Sequence, residues 1–371
     1  MKILFAGGGT AGHINPALAI AGFIRKKEPS AQILFVGNRG GMEETLVPKA
    51  GFNMEFITIS GFRRSFKPSA VAHNVKTVHR TFASSREAKK IIERFKPDIC
   101  VGTGGYVSGP VLRTAAKMGI PTVIHEQNAY PGVTNKMLAK DAKRVMLAVA
   151  DAQKHFDKNA RCVVTGNPVR SEIIEADREK ARRELGVDER PLVLSFGGSL
   201  GAQRINESVA ALLARSGKDG AYQHIHGYGK YAPDFPELVK EKGADIRHCD
   251  NLDVREYIDN MATCMAASDL VISRAGAITL SEIQAMGKPA VLIPSPNVAE
   301  NHQYHNAMAL VNNGAAQIIE EKDLTEELLM EKVDSLLKNP DLLREYSNNS
   351  RKMAIIDANE RIYHVIKKVL N

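Results

Sequence analysis

Close to the start of the chain a histidine follows a run of glycines, Gly7-Gly8-Gly9-Thr10-Ala11-Gly12-His13. Glycines let backbone amides approach a ligand closely, and an imidazole placed there can accept a proton from a hydroxyl. Behind the glycines, Ile3-Leu4-Phe5-Ala6 is a short apolar run suited to a buried strand. Ahead of them, Pro16-Ala17-Leu18-Ala19-Ile20-Ala21 reads as the first turns of a helix, with proline tolerated near its beginning. Strand, glycines, helix is the order that turns amides and the positive end of a helix towards an anion. Most such turns merely let a strand and a helix pack tightly, so His13 carries the weight here.

Three further stretches could do chemistry. The loop Gly104-Gly105-Tyr106-Val107-Ser108-Gly109-Pro110 follows the apolar run Ile99-Cys100-Val101-Gly102. A second glycine turn, Gly197-Gly198-Ser199-Leu200-Gly201-Ala202, follows Leu192-Val193-Leu194-Ser195-Phe196. The strand Asp269-Leu270-Val271-Ile272-Ser273 runs into Arg274-Ala275-Gly276-Ala277-Ile278-Thr279-Leu280-Ser281-Glu282. Gly276 frees that turn, and the amides of Ala277 to Thr279 at a helix N-terminus make a diphosphate seat. Glu282 stands one helical turn beyond Thr279, where a carboxylate can accept both hydroxyls of a ribose. The competing structural reading is a capping box, Thr279-x-x-Glu282. Downstream, Asn301-His302-Gln303-Tyr304-His305-Asn306 starts a helix with polar groups that could hold a sugar.

The letters Gly7-x-Gly9-x-x-Gly12 also fit a dinucleotide fingerprint. That fingerprint needs an acidic residue after the second strand to hold the ribose. Here Gln32-Ile33-Leu34-Phe35-Val36 is followed by Gly37-Asn38-Arg39, without a carboxylate, and the oxidoreductase reading falls away.

The elements that position these residues alternate throughout. Strands at Gln32–Val36, Met54–Ile59, Ile99–Gly102 and Pro121–Ile124 are separated by helical patterns, one of them over roughly 70–95. This is the pattern of a parallel sheet covered on both faces. After Thr165-Gly166-Asn167-Pro168-Val169-Arg170, which has linker composition, and a polar helix over about 177–186, the series begins again at Leu192. The expectation is two Rossmann-like domains with a cleft between them, both glycine turns lying at the carboxyl ends of their strands.

A chain of 371 residues is long for one core, which agrees with two domains. The four cysteines have no paired spacing, which argues against zinc and disulfides and suits a reducing cytoplasm. No run approaches the roughly 18 apolar residues of a membrane span, and Met1 leads directly into a strand with no room for a secretory signal. Residues 1–165 hold 25 Lys and Arg against 11 Asp and Glu, net +14, whereas 166–371 hold 25 against 31, net −6. The first half therefore faces something anionic or simply carries a solvated basic face.

Taken together, Gly8 to His13, residues 104–110, His125-Glu126-Gln127-Asn128, Gly166 to Arg170, Gly197 to Ala202, Ser273 to Gly276 and Gln303-Tyr304 closely resemble, in order and spacing, the MurG family. These are the UDP-N-acetylglucosamine transferases of peptidoglycan synthesis, and the resemblance covers nearly the whole chain. It implies an α/β GT-B fold: an acceptor and membrane-docking domain at 1–165, a UDP-GlcNAc-binding domain at 166–352, and a return helix at 353–371 crossing back onto the first domain. It implies that Arg170 and Ser199 contact the nucleotide diphosphate and that Ile258 offers its backbone to uracil. Ala277, Ile278, Thr279, Leu280, Ser281 and Glu282 would hold diphosphate and ribose, with Gln303 and Asn128 on the sugar. Thr10, Ala11 and Gly12 would complete the cleft, with Gly104, Gly105, Tyr106, Ser108 and Glu126 on the acceptor. Some members carry Gln-Gln before the tyrosine where this chain has His302-Gln303.

The implied reaction is attack by the C4 hydroxyl of a lipid-linked MurNAc-pentapeptide (lipid I, on undecaprenyl diphosphate) on C1 of GlcNAc, with inversion. His13 is the candidate base. No Asp-x-Asp occurs, so no obligatory metal is expected, and no cofactor. Val71, Val75, Val78 and Phe82 form an apolar stripe interleaved with His73, Lys76, His79 and Arg80, and Arg63, Arg64 and Lys67 precede it. Beside the basic excess this points to peripheral docking on an anionic membrane at its cytoplasmic face rather than to nucleic acid, with other cell-wall synthesis proteins as further candidate partners. The rival readings are a UDP-GlcNAc 2-epimerase, which turns over without acceptor, and a non-catalytic membrane-associated UDP-sugar-binding subunit.

Overall fold

The computed structural model describes residues 1–59 and 83–371. The basic amphipathic stretch at 63–82 lies outside the described residues. The chain forms two units, Met1–Pro168 with Ile355–Asn371, and Val169–Ala354.

Among the described residues the first unit holds a seven-stranded parallel sheet: β1 (Lys2–Gly7), β2 (Gln32–Asn38), β3 (Asn53–Ile57), β4 (Ile99–Gly104), β5 (Thr122–Glu126), β6 (Arg144–Leu147) and β7 (Cys162–Val164). Their spatial order is β3-β2-β1-β4-β5-β6-β7, so the chain reverses direction across the sheet between β1 and β4. Helices α1 (Ala11–Lys27), α2 (Glu43–Lys49), α3 (83–95), α4 (Gly105–Lys117) and α5 (Val133–Leu138) connect the strands. Side chains alternate across a strand, and β1 shows the consequence. Leu4 and Ala6 pack with Val107 and Val111 of α4, while Ile3 and Phe5 pack with Ile14, Ile20 and Ile24 of α1 on the other face.

The second unit is a six-stranded parallel sheet ordered β10-β9-β8-β11-β12-β13. Its strands are β8 (Leu192–Phe196), β9 (Gln223–Gly227), β10 (Leu252–Arg255), β11 (Leu270–Ser273), β12 (Ala290–Leu292) and β13 (Ala316–Ile318). Around it lie α6 (Ser171–Ile174), α7 (Arg178–Leu185), α8 (Gln203–Asp219), α9 (Phe235–Glu241), α10 (Met261–Ala267), α11 (Ala277–Ala285), α12 (His302–Val311), α13 (Glu326–Leu337) and α14 (Pro340–Lys352).

The last helix, α15 (Ala358–Leu370), belongs to the first unit. Ile362 and Ile366, four residues apart on one face, are fully buried in the α1 side of its core, each worth about 2 kcal/mol of apolar burial. Tyr363 Oη and Lys367 Nζ donate to Glu28 Oε1 at 2.7 and 2.9 Å, fastening α15 to the end of α1.

Candidate active site

The first glycine turn differs from its sequence reading in where the helix starts. Helix α1 begins at Ala11 and Pro16 lies inside it. Proline costs a helix the amide that would serve the carbonyl four residues back, which here is Gly12, still in the first turn. His13 is consequently the third helical residue rather than part of a loop ahead of the helix. Its amide donates to Thr10 O at 3.1 Å, and its carbonyl accepts from the buried Thr103 Oγ1 at 2.7 Å.

The half-buried imidazole of His13 rests against the start of α4. Gly104 has φ +100°, and a Cβ there would sit 2.9 Å from His13 Nδ1. Gly105 has φ +78°, and its Cβ would come 2.1 Å from the Gly8 carbonyl. Both positions need glycine for space as well as for conformation. Thr10 and Gly12 are exposed and Ala11 is half-buried beside them.

A carboxylate that sequence reasoning missed lies under this turn. Glu43, fully buried in the first turn of α2, accepts from Gly9 N at 3.1 Å and Asn38 N at 3.0 Å. One amide of the glycine run is thus already satisfied from within, which weighs further against a dinucleotide seat there. Tyr106 stands over Gly9. Burial, and secondarily the Glu43 charge, push its phenol up, with an opposing contribution from a bond to Asn38.

Residues 125–135 form a polar cluster at the end of β5. Gln127 Nε2 donates to Thr103 O and His125 O, both at 3.0 Å, and lies 3.1 Å from His125 Nδ1. Its Oε1 faces His13 Nδ1 at 3.4 Å. His125 is fully buried, its Nε2 2.9 Å from Gly166 O, and loss of solvation lowers its pKa to about 4.

Two expectations for acceptor contact need correction. Glu126 is 1% exposed, and its carboxylate takes four donors of the protein itself. Asn128 N and Nδ2 reach Oε1, each at 3.0 Å, while Gly132 N and Asn135 Nδ2 reach Oε2 at 3.1 and 2.9 Å. Glu126 therefore shapes the loop that carries Asn128 instead of facing a ligand. Ser108 is likewise buried, its hydroxyl 2.6 Å from Ala6 O and 2.8 Å from Gly104 O, where it clamps the start of α4 to β1.

In the second unit, the turn after β8 leaves Ser199 exposed and leads to α8. Helix α11 begins at Ala277 with Gly276 at the cap position and no side-chain cap. Thr279 is thus the third helical residue and makes no capping box with Glu282. The first-turn amides of a helix lack acceptors within it, which leaves Ile278 and Thr279 suited to an anion. Leu280 needs correction: its amide donates to Gly276 O at 3.0 Å and its side chain is buried, so it belongs to the core. Ser281 Oγ donates to Ala277 O at 3.1 Å.

Glu282 is 6% exposed and accepts from Arg170 Nε at 3.0 Å. Burial pushes its carboxyl up, and the guanidinium works against that shift. The residues implied for diphosphate and for ribose are therefore one ion pair. Ile258 buries its side chain beneath Gly227 while its backbone lies in the loop after β10. Gln303 Oε1 accepts from Ser295 N at 2.9 Å, and Glu300 and Asn301 just before α12 have φ of 54° and 48°. Consecutive left-handed non-glycine residues are strained and tend to mark functional loops. Arg274 pairs with Glu321 and donates to the carbonyls of Ile293 and Pro294, a structural role. Among the described residues no three His, Cys, Asp or Glu side chains gather as metal ligands, and no helix is long and apolar enough to cross a membrane.

Two doubly wound parallel sheets, each with a glycine turn after its first strand and the second with a helix N-terminus beside a buried acid, have the GT-B architecture found among glycosyltransferases. Residues 3–147 match the glycosyltransferase family 28 N-terminal domain and residues 192–362 its C-terminal domain, and the chain belongs to that family. It is 46% identical, over 100% of its length and 98% of the relative's, to the UDP-N-acetylglucosamine--N-acetylmuramyl-(pentapeptide) pyrophosphoryl-undecaprenol N-acetylglucosamine transferase of Acetivibrio thermocellus. The enzyme of the same name from Ruminiclostridium cellulolyticum is 45% identical over 100% of both chains. MurG of Acinetobacter baumannii superimposes with a TM-score of 0.77 at 28% identity, covering 99% of each chain. A UDP-GlcNAc 2-epimerase from Neisseria meningitidis, TM-score 0.67 at 13% identity over 99% of this chain and 100% of the other, shares the fold alone.

Proposed function

We propose that the chain transfers GlcNAc from UDP-GlcNAc to the C4 hydroxyl of MurNAc-pentapeptide carried on undecaprenyl diphosphate. What carries the reading is the presence in one chain of His13, seated at the head of β1 and β4 in the first unit, and of an α11 N-terminus and an Arg170–Glu282 pair in the second unit that suit a nucleoside diphosphate sugar. The hydroxyl oxygen bonds to C1 while the bond from C1 to the UDP oxygen breaks. The hydroxyl proton passes to His13 Nε2, and UDP leaves with the bonding electron pair, inverting α to β. Amides of α11, the 197–202 turn and Arg170 stabilise the departing diphosphate. Glu282 accepts the ribose hydroxyls, the Ile258 backbone meets uracil, and Gln303 with Asn128 holds the sugar.

The first unit takes the acceptor through Gly104, Gly105 and Tyr106. Its net charge of +14 over residues 1–165, which includes the basic residues Arg63, Arg64, Lys67, Lys76 and Arg80, suits peripheral attachment to the anionic cytoplasmic face of the membrane. The test is incubation with UDP-GlcNAc and a soluble lipid I analogue, following UDP. Release of UDP only in the presence of acceptor, matched by GlcNAc incorporation, supports transfer. Turnover of UDP-GlcNAc without acceptor supports the epimerase instead, and binding of UDP without turnover supports a binding subunit.

A further inference from the structure

We propose that Gln127 is a positioning residue that sets the tautomer of His13, keeping the proton on Nδ1 and leaving Nε2 as the basic nitrogen. The inference rests on the reading of His13 as general base, and donors and acceptors around Gln127 match in only one way.

The Gln127 amide has one workable orientation. Its nitrogen end lies 3.0 Å from two carbonyl oxygens, Thr103 O and His125 O, and an amide oxygen placed there would face two acceptors. Its oxygen end therefore points at His13 Nδ1, 3.4 Å away. An oxygen acceptor is matched only by an N–H, so Nδ1 bears the hydrogen and the Nε2 lone pair is left for a substrate hydroxyl.

The far end of the network has the same polarity. His125 Nε2 lies 2.9 Å from Gly166 O, which accepts only, so that nitrogen carries the hydrogen and His125 Nδ1 is a third acceptor, at 3.1 Å, sharing the two Gln127 Nε2 hydrogens with Thr103 O and His125 O. The hydrogen bonds run one way, from His13 through Gln127 and His125 to Gly166. Gly166 is held in turn, because a Cβ there would come 2.7 Å from Ile355 and 3.0 Å from Ala358, the segment that opens α15. Gln127 is 3% exposed and His125 fully buried, so water competes little for these bonds and the orientation is fixed by the fold. A free histidine side chain in water places its proton mainly on Nε2, so the pocket selects the less common form.

The experiment is long-range proton–nitrogen correlation spectroscopy of the full chain labelled with ¹⁵N-histidine at pH 8, with His13→Ala identifying the His13 signals. Donor KM and kcat are measured in parallel. The expected wild-type pattern is a protonated Nδ1 and an unprotonated Nε2. In Gln127→Leu that pattern should move towards the tautomer mixture of a free histidine side chain, and kcat should fall by about tenfold or more with KM for UDP-GlcNAc unchanged. A wild-type His13 protonated on Nε2, or a pattern unmoved in Gln127→Leu, overturns the assignment, and the wild-type spectrum decides alone should that variant not fold. The expected tautomers combined with near wild-type kcat in both His13→Ala and Gln127→Leu would refute the base reading and leave the tautomer assignment standing.

Discussion

Lowering the pH should unfold the second unit through two histidines buried beneath its sheet. His224 and His226, on alternate positions of β9, both face Ser195 Oγ of β8 at 2.7 Å and are almost wholly buried. Loss of solvation drops the pKa of His226 to about 3 and holds that of His224 well below the usual imidazole range, with His226 a secondary cause for His224. The unfolded chain binds these protons near pH 6.5, so from there down to about 3 it holds more protons than the folded state, and stability falls as pH falls. At about 1.4 kcal/mol per pH unit, His226 alone removes about 3 kcal/mol between pH 7 and pH 4, a large fraction of a typical domain stability. Guanidinium unfolding followed by far-ultraviolet circular dichroism at pH 7, 5.5 and 4 measures this, with His226→Leu as the comparison. Carboxylate titration is common to both chains and cancels in the difference. The stability advantage of wild type over the variant should shrink by about 3 kcal/mol from pH 7 to pH 4. A difference that stays constant within about 1 kcal/mol across that range would refute the assignment of acid lability to His226.

Gly104→Ala forces a Cβ to within 2.9 Å of His13 Nδ1 at φ +100°. It should cost about 1–3 kcal/mol of stability and lower kcat, with calorimetric UDP affinity unchanged. Arg170→Ala leaves Glu282 buried without its guanidinium and removes a cation from the proposed diphosphate seat. KM for UDP-GlcNAc should rise by about tenfold, equivalent to about 1.4 kcal/mol, in steady-state assays. Sedimentation with vesicles should show binding that grows with anionic lipid content and weakens in salt, and binding to neutral vesicles of equal strength would exclude electrostatic docking.

The glycine turns, the helix start after Gly276 and the parallel sheets were legible in the sequence because each rests on local pattern: apolar runs, glycines, a helix start. The partners were not. Glu43 lies 34 residues from the Gly9 amide it satisfies, and only the placement of β1 beside β2 brings them together. Gln127 stood in a run singled out by resemblance, yet its role depends on β4 and β5 being neighbours, so that Thr103 O can orient its amide. Glu126 and Ser108 were misread for a related reason. A polar residue beside a glycine loop can face a ligand or clamp the loop from within, and sequence spacing is the same for both. Pro16 misled by its usual preference for the first helical position, when the helix already begins five residues earlier at Ala11.

The central claim, that an imidazole on the first unit deprotonates the acceptor while the second unit holds the nucleotide sugar, is tested most directly by His13→Ala. Turnover with UDP-GlcNAc and a soluble lipid I analogue should fall by roughly 10²–10⁴-fold, while calorimetric affinity for UDP-GlcNAc stays at the wild-type value. Turnover near wild type would contradict the claim, as would a loss explained wholly by weakened UDP-GlcNAc binding.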